Sequence, residues 1–274
     1  MKITLIEPRG FCFGVCRALK MLDELLPLKP YVLHEIVHNK QIIDYYKNKG
    51  VSFVEDLNDV PVGAQLVLSA HGVSKQIEDL ARSKFTVTDT TCPFVKKNHI
   101  WIHQLEEKDI PVVIIGKPNH AEVIGMIGQT TKPAFIVSDV KDVESLPDLE
   151  KVGVATQTTL SVDDTEKITS ALHQKFKTVL FQNGICKATQ ERQKAVREAA
   201  KTHKMILVVG DKKSSNANRL VEVAKDAGVD SFLIESVQDL KNLSFPDTVA
   251  ITAAASAPEQ IVKEIADFLE KNNF

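Results

Sequence analysis

Short apolar runs alternate with longer amphipathic stretches along the chain. The short runs are rich in Val, Ile and Leu, a pattern typical of strands that are covered on both faces of a parallel sheet. The longer stretches have helical spacing; near the C-terminus, for example, Ile261, Ile265 and Leu269 fall on one face. Regular alternation of strands and helices predicts an α/β fold with parallel sheets.

The pattern occurs three times in the same order, which indicates an internal repeat. In each copy a strand ends at a cysteine and is followed by a helix, a strand, a second helix, two further strands and a last helix. The cysteine strands are predicted at 2–7, 86–90 and 178–181. The other strands are predicted at 31–33, 51–54, 65–69, 112–115, 134–137, 151–155, 206–209, 231–234 and 248–252, and the helices at 15–26, 38–49, 74–84, 93–108, 120–129, 161–175, 189–203, 215–227 and 258–271.

The third copy lacks a cysteine strand at its C-terminal end, and residues 1–11 supply one. We therefore expect the N-terminal strand to pack with residues 187–274. Three similar small α/β domains would then form a trefoil around a pseudo-threefold axis and a central cavity, and the alternative is three separate domains in a row. The predicted units are 13–92, 93–185, and 186–274 together with 1–12.

The composition argues against several classes of protein. The 274 residues carry a formal net charge of −2 and give a pI near 6.5, without the excess of basic residues that nucleic-acid binding requires. No apolar run reaches the ~18 residues of a membrane span. The chain begins directly with a predicted strand and shows no leader peptide, so we expect a cytoplasmic protein or a mature form whose leader has been removed.

Three of the four cysteines, Cys12, Cys92 and Cys186, occupy the same place in the repeat. Each follows the carboxyl end of a predicted strand, where parallel α/β sheets bind ligands, and each begins a helix, whose N-terminus favours a thiolate. Three thiolates suit a [4Fe–4S] cluster with one iron left open for substrate. Cys16 has no counterpart in the other copies, and we interpret it as a helix residue rather than a fourth ligand.

Polar side chains collect in the remaining strand-end loops. Hydroxyl and amide groups at helix starts suit phosphate oxygens, and imidazoles can donate to the same oxygens. Few Lys or Arg residues lie in these loops, which favours a small enclosed diphosphate as the ligand. The candidates are His38, His71, His120, Ser214, Ser215, Asn216 and Ser256, with the loop around Thr158, and Glu122 as a proton donor.

Two other functions fit the same residues. His38, His71, His120 and Glu122 could instead bind zinc in a metallohydrolase that acts on a phosphorylated metabolite. A binding protein without catalysis, in which the thiols are structural, is the third hypothesis. His99 and His103 are one helical turn apart but lack the glutamate of a zinc-protease motif, so we expect them on a solvated helix face.

The loop motifs occur in one order along the whole chain: Pro8-Arg9-Gly10-Phe11-Cys12, Val37-His38-Asn39, Ser69-Ala70-His71-Gly72-Val73-Ser74, Thr91-Cys92-Pro93, Asn119-His120, Glu122-Val123, Thr156-Gln157-Thr158-Thr159-Leu160-Ser161, Ile185-Cys186 and Ser214-Ser215-Asn216. Together they resemble the 4-hydroxy-3-methylbut-2-enyl diphosphate reductase family, the last enzymes of the methylerythritol phosphate route to isoprenoids. Ala121 and Ala254 stand where the family usually has Pro and Gly.

The resemblance implies an iron–sulfur oxidoreductase that removes the hydroxyl group of an allylic diphosphate with two electrons and two protons. The implied products are isopentenyl and dimethylallyl diphosphate, and the implied electron donor is a ferredoxin or flavodoxin. By resemblance, Glu122 delivers protons, with His120 beside it, and Thr158 positions the substrate hydroxyl on the open iron. The implied cluster ligands are Cys12, Cys92 and Cys186, and the implied diphosphate ligands are His38, His71, His120, Ser214, Ser215, Asn216 and Ser256.

Overall fold

The computed structural model describes residues 1–182 and 184–272 and contains three four-stranded sheets in which all strands are parallel. This confirms the predicted α/β class. The sheet orders are β1-β12-β10-β11, β3-β2-β4-β5 and β7-β6-β8-β9. The strands are β1 (Lys2–Leu5), β2 (Tyr31–Leu33), β3 (Ser52–Val54), β4 (Gln65–Leu68), β5 (Thr86–Asp89), β6 (Val112–Ile115), β7 (Phe135–Val137), β8 (Lys151–Thr156), β9 (Thr178–Phe181), β10 (Met205–Val209), β11 (Asp230–Ile234) and β12 (Thr248–Ala253).

Helices connect the strands, and their bounds agree with the predicted stretches to within a few residues. They are α1 (Phe13–Leu25), α2 (Lys40–Asn48), α3 (Lys75–Lys84), α4 (Pro93–Glu107), α5 (Ala121–Ile127), α6 (Val140–Glu144), α7 (Val162–Lys175), α8 (Lys187–Ala200), α9 (Ser215–Asp226) and α10 (Glu259–Lys271). The short helix α6 is missing from the sequence prediction, as are three 3-10 turns. None of the helices in the described residues is long and apolar enough to cross a bilayer.

The N-terminal strand completes the last sheet. β1 pairs in parallel with β12, with Lys2 opposite Thr248 and Leu5 opposite Ile251. This pairing confirms the expectation that the N-terminus packs with the C-terminal third of the chain. The exact boundaries 13–92, 93–185 and 186–274 plus 1–12 remain predictions, and residues 183, 273 and 274 lie outside the described part of the chain.

Two compact units make up the chain. The first contains Met1–Val15, His38–Gln41 and Lys187–Phe274, and therefore the sheet built on β1 and β12. Its core is formed by the fully buried strand β10, together with apolar residues of α9, α10 and β12. The second unit contains Cys16–Val37 and Ile42–Cys186 and holds the other two sheets.

Serine caps begin two equivalent helices of the second unit. Ser74 Oγ accepts a 3.2 Å hydrogen bond from the Ile77 N–H, and Ser161 Oγ accepts a 3.1 Å bond from the Asp164 N–H. Such caps satisfy donors that the first helical turn leaves unpaired. The predicted start at Ser161 is therefore confirmed. A short loop joins β4 to α3, and another joins β8 to α7.

The Ser74 cap also lies against the end of α5, which sets a packing limit. Gly128 has an ordinary φ of −71°, but a methyl group there would overlap Ser74 Cβ. We expect Gly128→Ala to lower the free energy of unfolding by about 3 kcal/mol, the upper end for overpacking. Gly63→Ala is the control, because no atom lies near its site and only its φ of +79° opposes a side chain. We expect that variant to lose about 1 kcal/mol of unfolding free energy. Equal losses in the two variants, measured by urea denaturation, would show that no overlap occurs.

Candidate active site

The cysteines of the repeat are anchored by equivalent backbone hydrogen bonds. In each case the cysteine N–H donates to a carbonyl two residues beyond the end of the neighbouring strand. The acceptors are Ala255 O for Cys12 at 3.0 Å, Ala70 O for Cys92 at 3.0 Å, and Thr158 O for Cys186 at 3.3 Å. The shared geometry places each cysteine between the end of a parallel strand and the start of a helix, as the repeat predicts.

The sulfur donors at these positions are half-buried thiols rather than disulfides. Cys12 lies in the first unit, and Cys92 and Cys186 lie in the second. Cys92 is the N-cap of α4, and α1 and α8 begin directly after Cys12 and Cys186. Cysteine sulfurs are the usual protein ligands of iron–sulfur clusters, so the chemistry of this donor set fits iron–sulfur ligation. Cys16, by contrast, is exposed on α1.

Glu122 and Thr158 form a buried polar pair in the second unit. Glu122 lies in the first turn of α5 with 2% of its surface exposed, and Thr158 follows β8. Glu122 Oε1 accepts a 2.9 Å hydrogen bond from the Thr158 N–H, and Oε2 lies 2.9 Å from Thr158 Oγ1. Burial raises the pKa of Glu122 to about 7, although the two hydrogen bonds from Thr158 oppose the rise. This carboxyl group can therefore gain and lose a proton near neutral pH.

His120 is the N-cap of α5 and lies next to His71. Its Nδ1 accepts a 3.2 Å hydrogen bond from the Glu122 N–H, which assigns the proton of a neutral ring to Nε2. The rings of His71 and His120 meet edge to face, with centroids 6.1 Å apart. The structure thus brings together His71, His120, Glu122 and Thr158 in one unit.

The zinc hypothesis gains no support from this geometry. Both carboxylate oxygens of Glu122 face Thr158 rather than an imidazole.

The first unit contains a second group of predicted site residues around residues 254–257. Ser256 Oγ donates a 3.0 Å hydrogen bond to His38 O, and Asn216 Oδ1 accepts one of 3.0 Å from the Ala255 N–H. Because Cys12 also bonds to Ala255, this loop connects a cysteine with His38, Asn216 and Ser256.

The start of α9 offers donors for an anion in the same unit. Ser214 is the N-cap of α9, and its Oγ accepts a hydrogen bond from the Ala217 N–H, while Ser215 is the first, half-buried helical residue. Asn216 Nδ2 is buried and has no hydrogen-bond partner among the described residues. A buried amide donor at a helix N-terminus is suited to a phosphate oxygen.

Comparison with known proteins identifies the family. The family described as LytB protein matches residues 3–270, nearly the whole chain. The chain belongs to the LytB family. This result confirms the resemblance that the loop motifs indicate, and it assigns the chain to the oxidoreductases.

Two similar relatives have the same protein name. A protein of Anaplasma marginale (strain St. Maries), named 4-hydroxy-3-methylbut-2-enyl diphosphate reductase, is 42% identical over 281 residues, covering 98% of this chain and 82% of that protein. A protein of the same name from Actinobacillus pleuropneumoniae serotype 3 (strain JL03) is 42% identical over 283 residues, covering 98% and 90%.

Two solved structures of similar enzymes share the fold. One is described as the E-1-hydroxy-2-methyl-but-2-enyl-4-diphosphate reductase from Plasmodium falciparum; it matches with a TM-score of 0.92 and 38% identity, covering 98% of this chain and 87% of that one. The other, described as (E)-4-hydroxy-3-methyl-but-2-enyl diphosphate reductase, the terminal enzyme of the non-mevalonate pathway, matches with a TM-score of 0.72 and 31% identity, covering 99% and 100%.

The two departures from the usual LytB motifs fit their surroundings. Ala254 is fully buried, its N–H donates a 2.8 Å hydrogen bond to Val209 O, and it is not one of the described residues with positive φ. Its methyl group therefore needs no left-handed backbone. Ala121 is the first residue of α5, a position at which proline and alanine are both accepted.

The prediction that His99 and His103 lie on a solvated face is wrong. His99 has 8% of its surface exposed, and burial, with smaller contributions from His103 and Lys96, lowers its pKa to about 4. His103 is half-buried, and its Nε2 lies 3.0 Å from Gln129 Oε1. The buried face of α4 has clear helical spacing that could have revealed this: Val95, Asn98, His99, Ile102 and Leu105.

Proposed function

We propose that this LytB chain reduces 4-hydroxy-3-methylbut-2-enyl diphosphate to isopentenyl and dimethylallyl diphosphate. Two electrons and two protons enter, the allylic C–O bond breaks, and the hydroxyl group leaves as water. The relatives of that name support the proposal. The observation that carries it is the buried Glu122–Thr158 pair, because the leaving hydroxyl group needs a proton from a donor that is still protonated near neutral pH.

The proton source is the carboxyl group of Glu122, and Thr158 is its contact with the substrate. When Glu122 is protonated, Oε2–H donates to Thr158 Oγ1, and the hydroxyl hydrogen of Thr158 is then available to the substrate hydroxyl group. The Thr158 N–H on Oε1 keeps the carboxyl group in place through both protonation states. The enclosed position of the pair limits exchange of this proton with water.

Binding of the diphosphate group orients the substrate. Its oxygens accept hydrogen bonds from imidazole, hydroxyl and amide groups, and this binding energy orients the reacting carbon. In the first unit, Asn216 Nδ2 and the N-terminus of α9 offer donors for these oxygens. The proposed ligands are His38, His71, His120, Ser214, Ser215, Asn216 and Ser256.

The electrons require a cofactor, which we propose is a [4Fe–4S] cluster held by Cys12, Cys92 and Cys186. When bound, such a cluster supplies electrons one at a time and an iron without a protein ligand that polarises the hydroxyl group. The cysteines hold it through thiolates at their helix N-termini. A ferredoxin or flavodoxin is the proposed donor of the electrons.

Turnover of the named substrate tests this proposal. Protein prepared without air, supplied with a chemical reductant and the diphosphate, should release both isoprenoid diphosphates, which are quantified by mass spectrometry. Thr158→Val, which removes only the hydroxyl contact, should lower kcat by about 10²-fold, and Thr158→Ser, which keeps the hydroxyl group, should retain most activity. Release of inorganic phosphate without reduced product would favour a hydrolase instead.

The protonation of Glu122 should appear in the pH dependence of the reaction. Its raised pKa means that the acid form, which donates the proton, is lost as the pH rises through about 7. We expect kcat/KM to fall above that pH, approaching about tenfold per pH unit. The pH profiles of kcat/KM, measured with saturating reductant, should show this fall in both wild type and Thr158→Ser. A flat profile above pH 7 in wild type would contradict the assignment of the proton to Glu122.

A further inference from the structure

Helix α4 contacts two of the loops that carry proposed site residues of the second unit. Asn98 Nδ2 donates a 2.8 Å hydrogen bond to Thr156 O, at the end of β8. The next residue, His99, packs against Gly72, directly after His71. Two adjacent residues of one helix therefore support two different loops.

Asn98 fixes the segment from which Thr158 reaches Glu122. Asn98 and Thr156 are both buried, so their hydrogen bond is not exchanged with solvent. Gly184 packs closely against the same carbonyl group, since a Cβ at position 184 would lie 2.6 Å from Thr156 O. The Asn98 amide thus holds the exit of β8 two residues before Thr158.

His99 occupies the space beneath the turn that follows His71. A Cβ on Gly72 would lie 2.8 Å from His99 Cε1 and 3.2 Å from His99 Nε2, and Gly72 has a φ of +77°. From α5, a Cβ on Gly125 would lie 3.4 Å from the Gly72 carbonyl carbon. Burial lowers the pKa of His99, so a neutral imidazole ring fills the space beside the turn that follows His71.

We propose that Asn98 and His99 are positioning residues with separate tasks. Asn98 sets the Thr158–Glu122 pair for proton delivery, and His99 sets His71 for binding the diphosphate. The inference rests on the proposed function, which gives Glu122 the proton and His71 the diphosphate. Neither residue contacts the substrate; each acts through the loop that it supports.

Asn98→Leu and His99→Leu test this with the same apolar side chain at adjacent positions of one helix, so each variant is the control for the other. Two readouts do not require turnover. The affinity for inorganic diphosphate is measured by calorimetry. The protonation of Glu122 is followed through its carboxyl band in infrared difference spectra across pH, with Glu122→Gln identifying the band.

We expect His99→Leu to weaken diphosphate binding and raise KM by about tenfold while the titration midpoint of Glu122 and kcat stay unchanged. Asn98→Leu should shift that midpoint and lower kcat by about tenfold, with diphosphate affinity within about twofold of wild type. Equal changes in both variants, or no change in either, would overturn the inference. If a leucine variant fails to fold, Asn98→Ser and His99→Gln are measured in the same way with the same criteria.

Wild-type turnover keeps the two proposals distinguishable. An inactive wild type whose variants still separate the two readouts refutes the proposed reaction and supports the positioning roles. An active wild type whose variants change both readouts together refutes the positioning roles alone.

Discussion

Cys92→Ser is expected to lose both its iron–sulfur cluster and its reductase activity. A serine hydroxyl group at this position keeps the N-cap of α4 but is a poor iron ligand beside a thiolate, so only two of the three proposed sulfur ligands remain. Iron and sulfide per chain and the visible absorbance of anaerobically prepared protein measure the first effect. Product release measures the second, and we expect both to fall to background.

Cys16→Ser is the matched control for this change. Cys16 is exposed on α1 and has no counterpart in the other copies of the repeat, so its variant should retain wild-type iron, sulfide and turnover. A Cys92→Ser protein that keeps its full cluster content would show that Cys92 is not a ligand. Loss of the cluster in Cys16→Ser would instead make Cys16 part of the ligand set.

Glu122→Gln is expected to lower kcat by about 10²-fold or more while leaving cluster content and diphosphate affinity unchanged. The amide keeps the shape of the carboxyl group and its acceptor for the Thr158 N–H, but it cannot release a proton to Thr158 Oγ1. Single-turnover measurements with prereduced enzyme isolate this step from electron delivery. Near-normal turnover would remove Glu122 from the role of proton donor.

The stability of this variant separates lost chemistry from lost folding. Because the folded-state pKa of Glu122 is raised from 4.5 to about 7, the folded protein binds more protons than the unfolded chain between these values. The free energy of unfolding that Glu122 contributes therefore falls as the pH rises from about 4.5 to about 7. Glu122→Gln removes that loss, so at about pH 8 it should be at least as stable as wild type, by urea denaturation. A clearly less stable variant would mean that its low activity reflects altered structure.

The sequence predicts the repeat well because its signals are local. Continuous Val, Ile and Leu runs define strands buried on both faces, and the cysteine junctions recur at equivalent places. The pairing of β1 with β12 follows from the strand that the third copy lacks. The short helix α6 was not predicted because its five residues are too few to show a helical period.

The details of the site depend on contacts that no local pattern specifies. Glu122 and Thr158 are 36 residues apart, and both were candidates, but their direct hydrogen bonds arise from the way α5 and the end of β8 pack. His99 was expected on a solvated face because the pair with His103 lacks the glutamate of a zinc-protease motif, but its ring is buried beside the turn at Gly72. Tertiary packing thus decides which polar residues of α4 become internal supports.

Metal analysis of wild-type protein purified without air tests the central proposal most directly. Three equivalent cysteines that hold one cubane cluster predict a brown protein with about four irons and about four acid-labile sulfides per chain. Zinc without sulfide, or a colourless protein with no metal after anaerobic purification and reconstitution with iron and sulfide, would contradict it.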